Sequence, residues 1–381
     1  MPVLTIPVEP GPRRLSALGE AAGDDPIARL QEAAQPLRRV RIVHLVSPPF
    51  APRALDLLRS TVPLLRDLGL DVRWLAVAGD DTADAAARAV GDALRGGEAG
   101  PPADEAAWRS RGLDAAAEIP RGTDVVVVHG AEGLALLGGE HAAPAPRRVW
   151  WTEGDLSAGR APADLVDRAD AVVAEREAWA PPGTDAVVIA PAVDPLAPRN
   201  LELPARTAGA LARTAGLDLS RPFVVRTTDV DGWAMAEGAV ELLHAAQDAG
   251  ADGLQLAIAA LLPAGDPRAW RTLGELSDHT AGDDDVLVVP SVGGAGDAEI
   301  NALQRLARVA IGDEDETGSL EAAWKGTPSA RDGDRVAALV ADAGEAIAEG
   351  RLARERVRET GLVTRLLADQ LDLYARITSA G

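Results

Sequence analysis

The sequence has no cysteine, and aromatic side chains make up only 3% of it. Without cysteine there are no disulfides, no iron–sulfur clusters and no thiol catalysis, although the compartment stays open. The five histidines are scattered and lack the His-x-x-x-His spacing of a helical metal site, so no metal is predicted. Residues 1–36 contain no apolar core of signal-peptide length, and no apolar run approaches the length of a membrane span. These absences predict a soluble, cytoplasmic protein.

Positive charge is also scarce. The chain carries 38 basic and 59 acidic residues, a formal net charge of −21, and Lys325 is its single lysine. A charge of this sign disfavours nucleic acid and anionic membrane surfaces as partners. It also disfavours nucleoside diphosphates as ligands, unless a local basic pocket outweighs the negative field of the whole protein. The simpler interpretation of the negative charge is that it keeps the protein soluble.

The chain alternates between short β-branched runs and alanine-rich helical stretches, which predicts α/β domains with parallel sheets. Hydrophobic residues make up 47% of the 381 positions, enough for two cores at about twice the usual domain length. The predicted strands are Val40–Val46, Val72–Val77, Asp124–His129, Val187–Ile189, Pro222–Arg226, Leu254–Ala259, Asp285–Val289 and Ala307–Ile311. The predicted helices include Ala54–Leu68, Thr82–Leu94, Ala236–Ala249, Ala298–Leu306 and Gly333–Gly350.

A proline-rich stretch near residues 191–202 marks the expected boundary between two domains. We expect an N-terminal extension over residues 1–36, a first domain over 37–200 and a second over 201–361. The apolar spacing of residues 362–377 predicts a last helix, and residues 362–381 are expected to pack back on the first domain.

Several fragments, in order across about 260 residues, resemble one family. They are Val62–Trp74, Asp155-Leu-Ser157, Val193-Asp-Pro-Leu196 with Asn200, Glu299–Arg305 and Trp324-Lys-Gly-Thr-Pro328. Together they are similar to retaining glycosyltransferases of the trehalose glycosyltransferring synthase type, in glycosyltransferase family 4. The resemblance implies the GT-B fold, two Rossmann-like domains facing a cleft. It also implies that the C-terminal domain binds most of the donor and the N-terminal domain binds the acceptor.

The segment Arg221–Glu241 is similar to the donor site of that family, where an Arg and a Lys hold the nucleotide-sugar diphosphate. Here Asp229 stands at the Arg position and Ala234 at the Lys position, while Asp231 and Trp233 are kept. The resemblance therefore makes Asp231 a donor-binding candidate and implies that both donor cations are lost.

Other family positions differ as well. Ala51, Pro52 and Arg53 replace a Gly-Gly-Gly turn whose backbone N–H groups approach sugar or phosphate, and Pro52 has no N–H to offer. Glu153 stands where the family has an acceptor-side histidine. Glu321 matches the second glutamate of the family's Glu-x7-Glu loop, which is shortened here, and the glycine-rich loops expected after Pro328 are missing.

Each candidate has a structural alternative. Glu321 is either a ribose ligand or an exposed glutamate at a helix start. Asp229 is either a loop carboxylate or a recruited cation ligand. His129 is either a structural histidine at a strand end or an acceptor-side group, and Asp155 is either an acceptor-side group or a cap of a turn or helix near residues 161–168. Lys325 is either framework or a catalytic amine.

Two further features have open alternatives. Trp150 and Trp151 either stack on sugar or pack at a strand end. The acidic run Asp313–Glu316 is either a solvated loop, a stand-in for the first glutamate of the Glu-x7-Glu loop, or a Ca²⁺ or Mg²⁺ site without the EF-hand pattern.

The losses favour a non-catalytic glycosyltransferase-like protein that acts as a partner or regulator. Its expected partners are a second copy of the chain or an active glycosyltransferase relative, and no cofactor is expected. The alternative is an active retaining glycosyltransferase that transfers glucose from a nucleoside-diphosphate glucose to a sugar acceptor.

Overall fold

The computed structural model describes residues 4–47, 52–97, 102–139, 146–229, 233–263 and 267–379. It divides into two compact units. The first unit comprises Met1–Ala190 and Thr364–Gly381, and the second is Pro191–Val363. None of the described helices is long and apolar enough to cross a membrane.

The first unit is built on a seven-stranded sheet in the order β1-β3-β2-β4-β5-β6-β7. Its strands are β1 Leu4–Pro7, β2 Arg41–Val46, β3 Asp71–Ala78, β4 Val125–His129, β5 Arg147–Trp151, β6 Ala171–Ala174 and β7 Ala186–Val188. All neighbours pair in parallel except β1, which lies antiparallel to β3. Because β4 is buried along its whole length, its run of valines fits a strand covered on both faces.

The first unit also contains helices. They are α1 Gly19–Ala22, α2 Asp24–Ala34, α3 Pro52–Asp67, α4 Asp81–Leu94, α5 Pro102–Ala117 and α6 Ala163–Val166, with α14 Val363–Ser379 at the end of the chain. The N-terminal residues thus contribute a strand and two helices, which the sequence did not predict. A core that includes Trp108, Trp150 and Leu134 lies against one face of the sheet.

The second unit is built on a parallel five-stranded sheet in the order β10-β9-β8-β11-β12. Its strands are β8 Phe223–Asp229, β9 Gln255–Leu262, β10 Val286–Val292, β11 Val309–Ile311 and β12 Ser329–Ala330. Its helices are α7 Ala205–Thr214, α8 Trp233–Asp248, α9 Pro267–His279, α10 Asp297–Leu306, α11 Thr317–Trp324, α12 Gly333–Ala341 and α13 Ala343–Thr360.

The helix predicted over Gly333–Gly350 is in fact two helices. Asp342 leaves the helical region, with φ −108° and ψ 94°, and its carboxylate accepts hydrogen bonds from the backbone N–H groups of Gly344 and Glu345. An aspartate in this position ends one helix and caps the next.

Candidate functional site

The carboxyl end of β8 is the place where the sequence predicts donor binding. Asp229 is the last residue of that strand, and helix α8 begins at Trp233. Asp231 lies outside the described residues, and so does the side chain of Ala234. The site therefore rests on β8, on the neighbouring strand β11, and on the segment that leads into α11.

Arg226 is a buried cation in β8, three residues before Asp229. Its guanidinium donates to the carbonyl oxygen of Ile311 at 2.8 Å and lies 2.7 Å from the Glu316 carboxylate. Gly312, which follows Ile311, has a φ of 145°, and a side chain at this position would collide with the guanidinium of Arg226. The loop after β11 is thus shaped around Arg226 and supplies its counterion.

The acidic run Asp313–Glu316 is not a purely solvated loop. Asp313 lies 3.2 Å from Arg331, Glu314 pairs with Arg356, and Glu316 pairs with Arg226. Among the described residues, no group of three or more His, Cys, Asp or Glu side chains is arranged to hold a metal ion. Two of these pairs lie at the solvent-exposed surface, and only Arg226, the partner of Glu316, is a buried arginine.

Glu321 lies in α11 and is 4% exposed. Arg199 Nε approaches one carboxylate oxygen at 3.3 Å, and Gln304 Nε2 approaches the other at 3.3 Å. Burial alone would raise the pKa of Glu321, but the charges of Arg199 and Lys325 hold it below the usual value. Glu321 is therefore an ionised, internally paired carboxylate rather than an exposed one.

Lys325 follows α11 and is held by three oxygen acceptors. Its Nζ donates to Asn200 Oδ1 at 2.7 Å, to Gln304 Oε1 at 2.7 Å and to the carbonyl of Glu321 at 2.9 Å. Burial lowers the pKa of Lys325 to about 7, against the raising effect of the Glu321 charge. Three donor bonds to three acceptors satisfy the ammonium, so this geometry favours the framework role for Lys325 over a catalytic amine.

In the first unit, the predicted acceptor-side residues gather at the carboxyl ends of β4 and β5. His129 ends β4, and Glu153 follows β5 by two residues. Trp150 and Trp151 are 0% and 3% exposed, and the indole of Trp150 donates to the carbonyl of Gly130 at 3.0 Å. Such burial favours packing over sugar stacking for both tryptophans.

Glu153, which follows β5, has a buried carboxyl that lies against the first turn of α3. It accepts a hydrogen bond from the backbone N–H of Ala54, in the first turn of that helix. Burial raises the pKa of Glu153 to about 8, and Glu132 adds to the rise, while Arg53 and Arg95 oppose it. The carboxyl of Glu153 thus takes up one backbone N–H of the first turn of α3.

Arg53 and Glu132 each have an ion-pair partner of their own. Arg53 lies 3.3 Å from Glu175, and Arg95 contacts both carboxylate oxygens of Glu132 at 2.9 and 3.2 Å. The cations beside Glu153 therefore share their charge with other carboxylates as well.

His129 contacts both Glu153 and a second buried histidine. Its Nδ1 lies 3.4 Å from Glu153 Oε1, and its Nε2 lies 2.9 Å from His44 Nδ1. The other ring nitrogen of His44 lies 3.4 Å from the hydroxyl of Tyr374 in α14. Burial lowers the pKa of His129 to about 3 and that of His44 well below its usual value, so both rings are neutral.

Asp155 caps a turn rather than a helix. Its Oδ1 accepts from the backbone N–H of Ser157 at 2.8 Å, and Pro162 precedes the short helix α6. This turn is the alternative that the sequence left open, and a role on the acceptor side stays a prediction.

Sequence reasoning missed Arg199, His44 and Tyr374 as members of these clusters. Asn200 and Glu299–Arg305 were recognised only as fragments of the resemblance, although Asn200 and Gln304 both hold Lys325. An arginine beside the interdomain Asp-Pro-Leu segment carries no pattern of its own, because its partners lie about a hundred residues away along the chain.

The fold of this chain defines a GT-B protein. A trehalose-6-phosphate structure from E. coli with bound UDP-2-fluoro glucose matches it with a TM-score of 0.62 at 10% identity, over 88% of this chain and 99% of the other. The N-terminal domain of Candida albicans trehalose-6-phosphate phosphatase matches with a TM-score of 0.58 at 11% identity, over 88% of this chain and 99% of that one.

Two curated sequences are similar to this chain over almost its whole length. The trehalose synthase of Rubrobacter xylanophilus is 27% identical, over 97% of this chain and 98% of its own length. The trehalose synthase of Pyrococcus horikoshii is 25% identical, over 95% of this chain and 96% of its own length. No protein-family model matches the chain. These likenesses support a trehalose glycosyltransferase-type family for this protein.

Proposed function

We propose that this protein is a glycosyltransferase-like protein of the trehalose-synthase type that does not catalyse sugar transfer and serves as a partner or regulator. The observation that carries the proposal is the pairing at the donor side of the second unit. Arg226 is neutralised by Glu316 at 2.7 Å, and Glu321 is neutralised by Arg199 at 3.3 Å. A diphosphate and a ribose would have to displace these internal partners before either side chain could bind them.

The two substituted positions add to this obstacle. In a retaining transfer, negative charge develops on the leaving nucleoside diphosphate, and fixed cations stabilise it. Losing one such donor costs roughly 2.7–4 kcal/mol at the transition state. With Asp229 and Ala234 at both positions, a loss of about 5–8 kcal/mol follows, or on the order of 10⁴–10⁶ in rate.

The first unit supports the same proposal. Pro52 stands in the first turn of α3 without an N–H, and the carboxyl of Glu153 already accepts from Ala54. An acceptor sugar would therefore meet a filled helix turn instead of the open glycine turn of the family.

The second candidate function is an active retaining glycosyltransferase that transfers glucose from a nucleoside-diphosphate glucose to a sugar acceptor. It is favoured by the near-complete coverage of two proteins named trehalose synthase, at 27% and 25% identity. Under this alternative, Asp231, Glu321 and the acceptor-side residues Asp155, Glu153 and His129 would contact substrate.

Calorimetry with UDP, ADP and GDP and their glucose conjugates separates the two functions. We expect dissociation constants above about 1 mM and no detectable transfer to glucose. Micromolar binding of UDP-glucose, or turnover of even about 1 s⁻¹, would refute the non-catalytic proposal.

A double substitution tests whether the two family positions control nucleotide binding. Asp229→Arg with Ala234→Lys should improve affinity by about 1.5–3 kcal/mol for each charge-assisted bond regained, without restoring turnover. The matched control is Asp114→Arg with Ala117→Lys, at two exposed positions of α5, which changes the net charge equally. An equal gain in the control would assign the effect to the overall field and contradict the site-specific interpretation.

The role as a partner has its own test. We propose that the chain forms a homodimer or a heterodimer with an active glycosyltransferase relative. Mass measurements in solution on the protein alone, and then mixed with such a relative, are expected to show a species of twice the monomer mass or a mixed dimer. A monomer in both samples contradicts this part of the proposal.

A further inference from the structure

Four polar side chains form a continuous row of contacts inside the first unit. Glu153 Oε1 lies 3.4 Å from His129 Nδ1, and His129 Nε2 lies 2.9 Å from His44 Nδ1. His44 Nε2 lies 3.4 Å from the hydroxyl of Tyr374. The row begins just after β5, beside the first turn of α3, and crosses β4 and β2 to reach α14. We call these four residues the buried chain.

All four members are shielded from solvent. Glu153 is 7% exposed, His129 is 1% exposed, and His44 and Tyr374 are fully buried. The ring of His129 stacks between His44 and Trp151, with ring centroids 5.2 and 5.8 Å away. Because this stacking fixes the ring of His129, protons can move within the buried chain while its heavy atoms stay in place.

Charged groups face only the Glu153 end among the described contacts. Glu132 follows β4 in the chain. Arg95, which follows α4, forms an ion pair with Glu132. Arg53 lies in α3 and pairs with Glu175. At the other end, α14 contributes the neutral hydroxyl of Tyr374.

The short contact between the two neutral imidazoles fixes how their protons are arranged. Since each neutral imidazole has one N–H and one acceptor nitrogen, exactly one ring donates across the 2.9 Å contact. If His129 Nε2 donates, its Nδ1 is unprotonated and presents a lone pair towards Glu153 Oε1, which lies 3.4 Å away without forming a hydrogen bond. If His44 Nδ1 donates, His129 Nδ1 carries a proton and faces Glu153, while His44 Nε2 accepts from Tyr374.

The two arrangements differ in their need for the Glu153 proton. The neutral acid leaves either arrangement open, whereas the negative carboxylate repels a lone pair on His129 Nδ1 and therefore favours the second. When Glu153 ionises, one proton leaves to solvent, and one proton stays on each ring and on the tyrosine. The N–H of His129 Nδ1 then faces a negative charge 3.4 Å away, which stabilises this arrangement.

We propose that Glu153, His129, His44 and Tyr374 form a pH-responsive switch, in which ionisation of Glu153 sets the tautomers of both histidines and orients the Tyr374 hydroxyl of the C-terminal helix. The pKa of Glu153, raised by burial to about 8, puts this change within the mildly alkaline range. The switch does not depend on whether the protein transfers sugar.

Nitrogen NMR of protein with labelled histidine tests the switch, because the ring nitrogen shifts distinguish both tautomers and the imidazolium. Between pH 6 and pH 10 we expect His44 and His129 to stay neutral and to move together to the Nδ1–H tautomer, with a midpoint near pH 8. His244 serves as an internal reference, since it is exposed in the second unit and pairs with Asp283 at 3.0 Å.

Two variants identify the origin of the change. Glu153→Gln should abolish the tautomer transition, because the amide cannot ionise. Tyr374→Phe should preserve the transition at His129 and remove the hydrogen bond at His44 Nε2. Glu175→Gln is the matched control: it removes a carboxylate paired with Arg53 and should move the midpoint to lower pH without abolishing it.

Three results would overturn the proposal. They are a transition that persists in Glu153→Gln, two histidines that change at different pH values, and an imidazolium signal from either ring above pH 6. A protein in which neither tautomer changes between pH 6 and pH 10 would equally rule it out.

Discussion

Replacing Glu153 with glutamine should change how the stability of the first unit depends on pH. In the folded protein, burial and the neighbouring Glu132 raise the pKa of Glu153 from 4.5 to about 8. In the unfolded chain, the carboxyl regains its ordinary value near 4.3. Between these two pKa values the folded state therefore binds one more proton than the unfolded state.

This difference sets both the sign and the size of the effect. Stability falls with rising pH wherever the folded state binds more protons, by about 1.4 kcal/mol per pH unit for one proton. The stabilising contribution of the Glu153 proton is complete below about pH 4.5, and it is lost as the pH rises through about 8. Over this window the wild-type protein should lose about 5 kcal/mol that Glu153→Gln keeps.

The two buried histidines act in the opposite direction. Their folded pKa values are depressed, so their neutral forms stabilise the fold above about pH 6.5, and that stability is lost as the pH falls. This contribution is the same in the wild type and in the glutamine variant. The difference in unfolding free energy between the two proteins therefore isolates Glu153.

Denaturant unfolding at several pH values from 5 to 9 provides the assay. Five of the eight tryptophans lie in the first unit, so their fluorescence weights the signal towards it. We expect the advantage of Glu153→Gln over the wild type to grow by several kcal/mol across this range. Parallel pH profiles of the two proteins would show that Glu153 ionises at its ordinary pKa and would refute the reasoning.

Two further predictions concern the second unit. Arg199→Met should destabilise it by about 3–5 kcal/mol, because Glu321 loses the larger of the two positive charges that hold it ionised, and adding Glu321→Met should recover most of that loss in denaturant unfolding. A double variant as unstable as the single one would show that packing, not charge, is responsible. Lys325, 8% exposed, should escape an amine-reactive reagent in the native protein and react in denaturant. Rapid native modification, read by mass spectrometry, would contradict the enclosed ammonium.

Much of the fold can be predicted from hydrophobic patterning. Asp124–His129 was predicted as a strand because four valines in a row suit a strand buried on both faces, and β4 is Val125–His129. By contrast, β5 begins with Arg147 and Arg148, so only its last three residues are apolar. β6 contains only two valines between alanines, a run too short to predict a strand from its pattern. Both strands are held by their parallel neighbours rather than by their own sequence.

The candidate site could be predicted only in part. The family resemblance implies that Asp229 and Ala234 replace a donor-site Arg and Lys, and strand alternation predicts that Arg226 faces away from Asp229. The fate of Arg226 was not predictable, because its carboxylate partner lies on a loop ninety residues later in the chain. The same applies to Glu153, whose raised pKa depends on burial among groups from α3, α4 and β4.

The two internal pairs and the substituted donor positions are separate obstacles to nucleotide binding under the proposed function. A buried arginine without a counterion is costly, and so is a buried carboxylate without a cation. Glu316 balances Arg226, and Arg199 balances Glu321. Restoring Asp229→Arg and Ala234→Lys adds cations but leaves both internal pairs in place. For this reason we expect the double variant to gain affinity for nucleotides and still not to turn over.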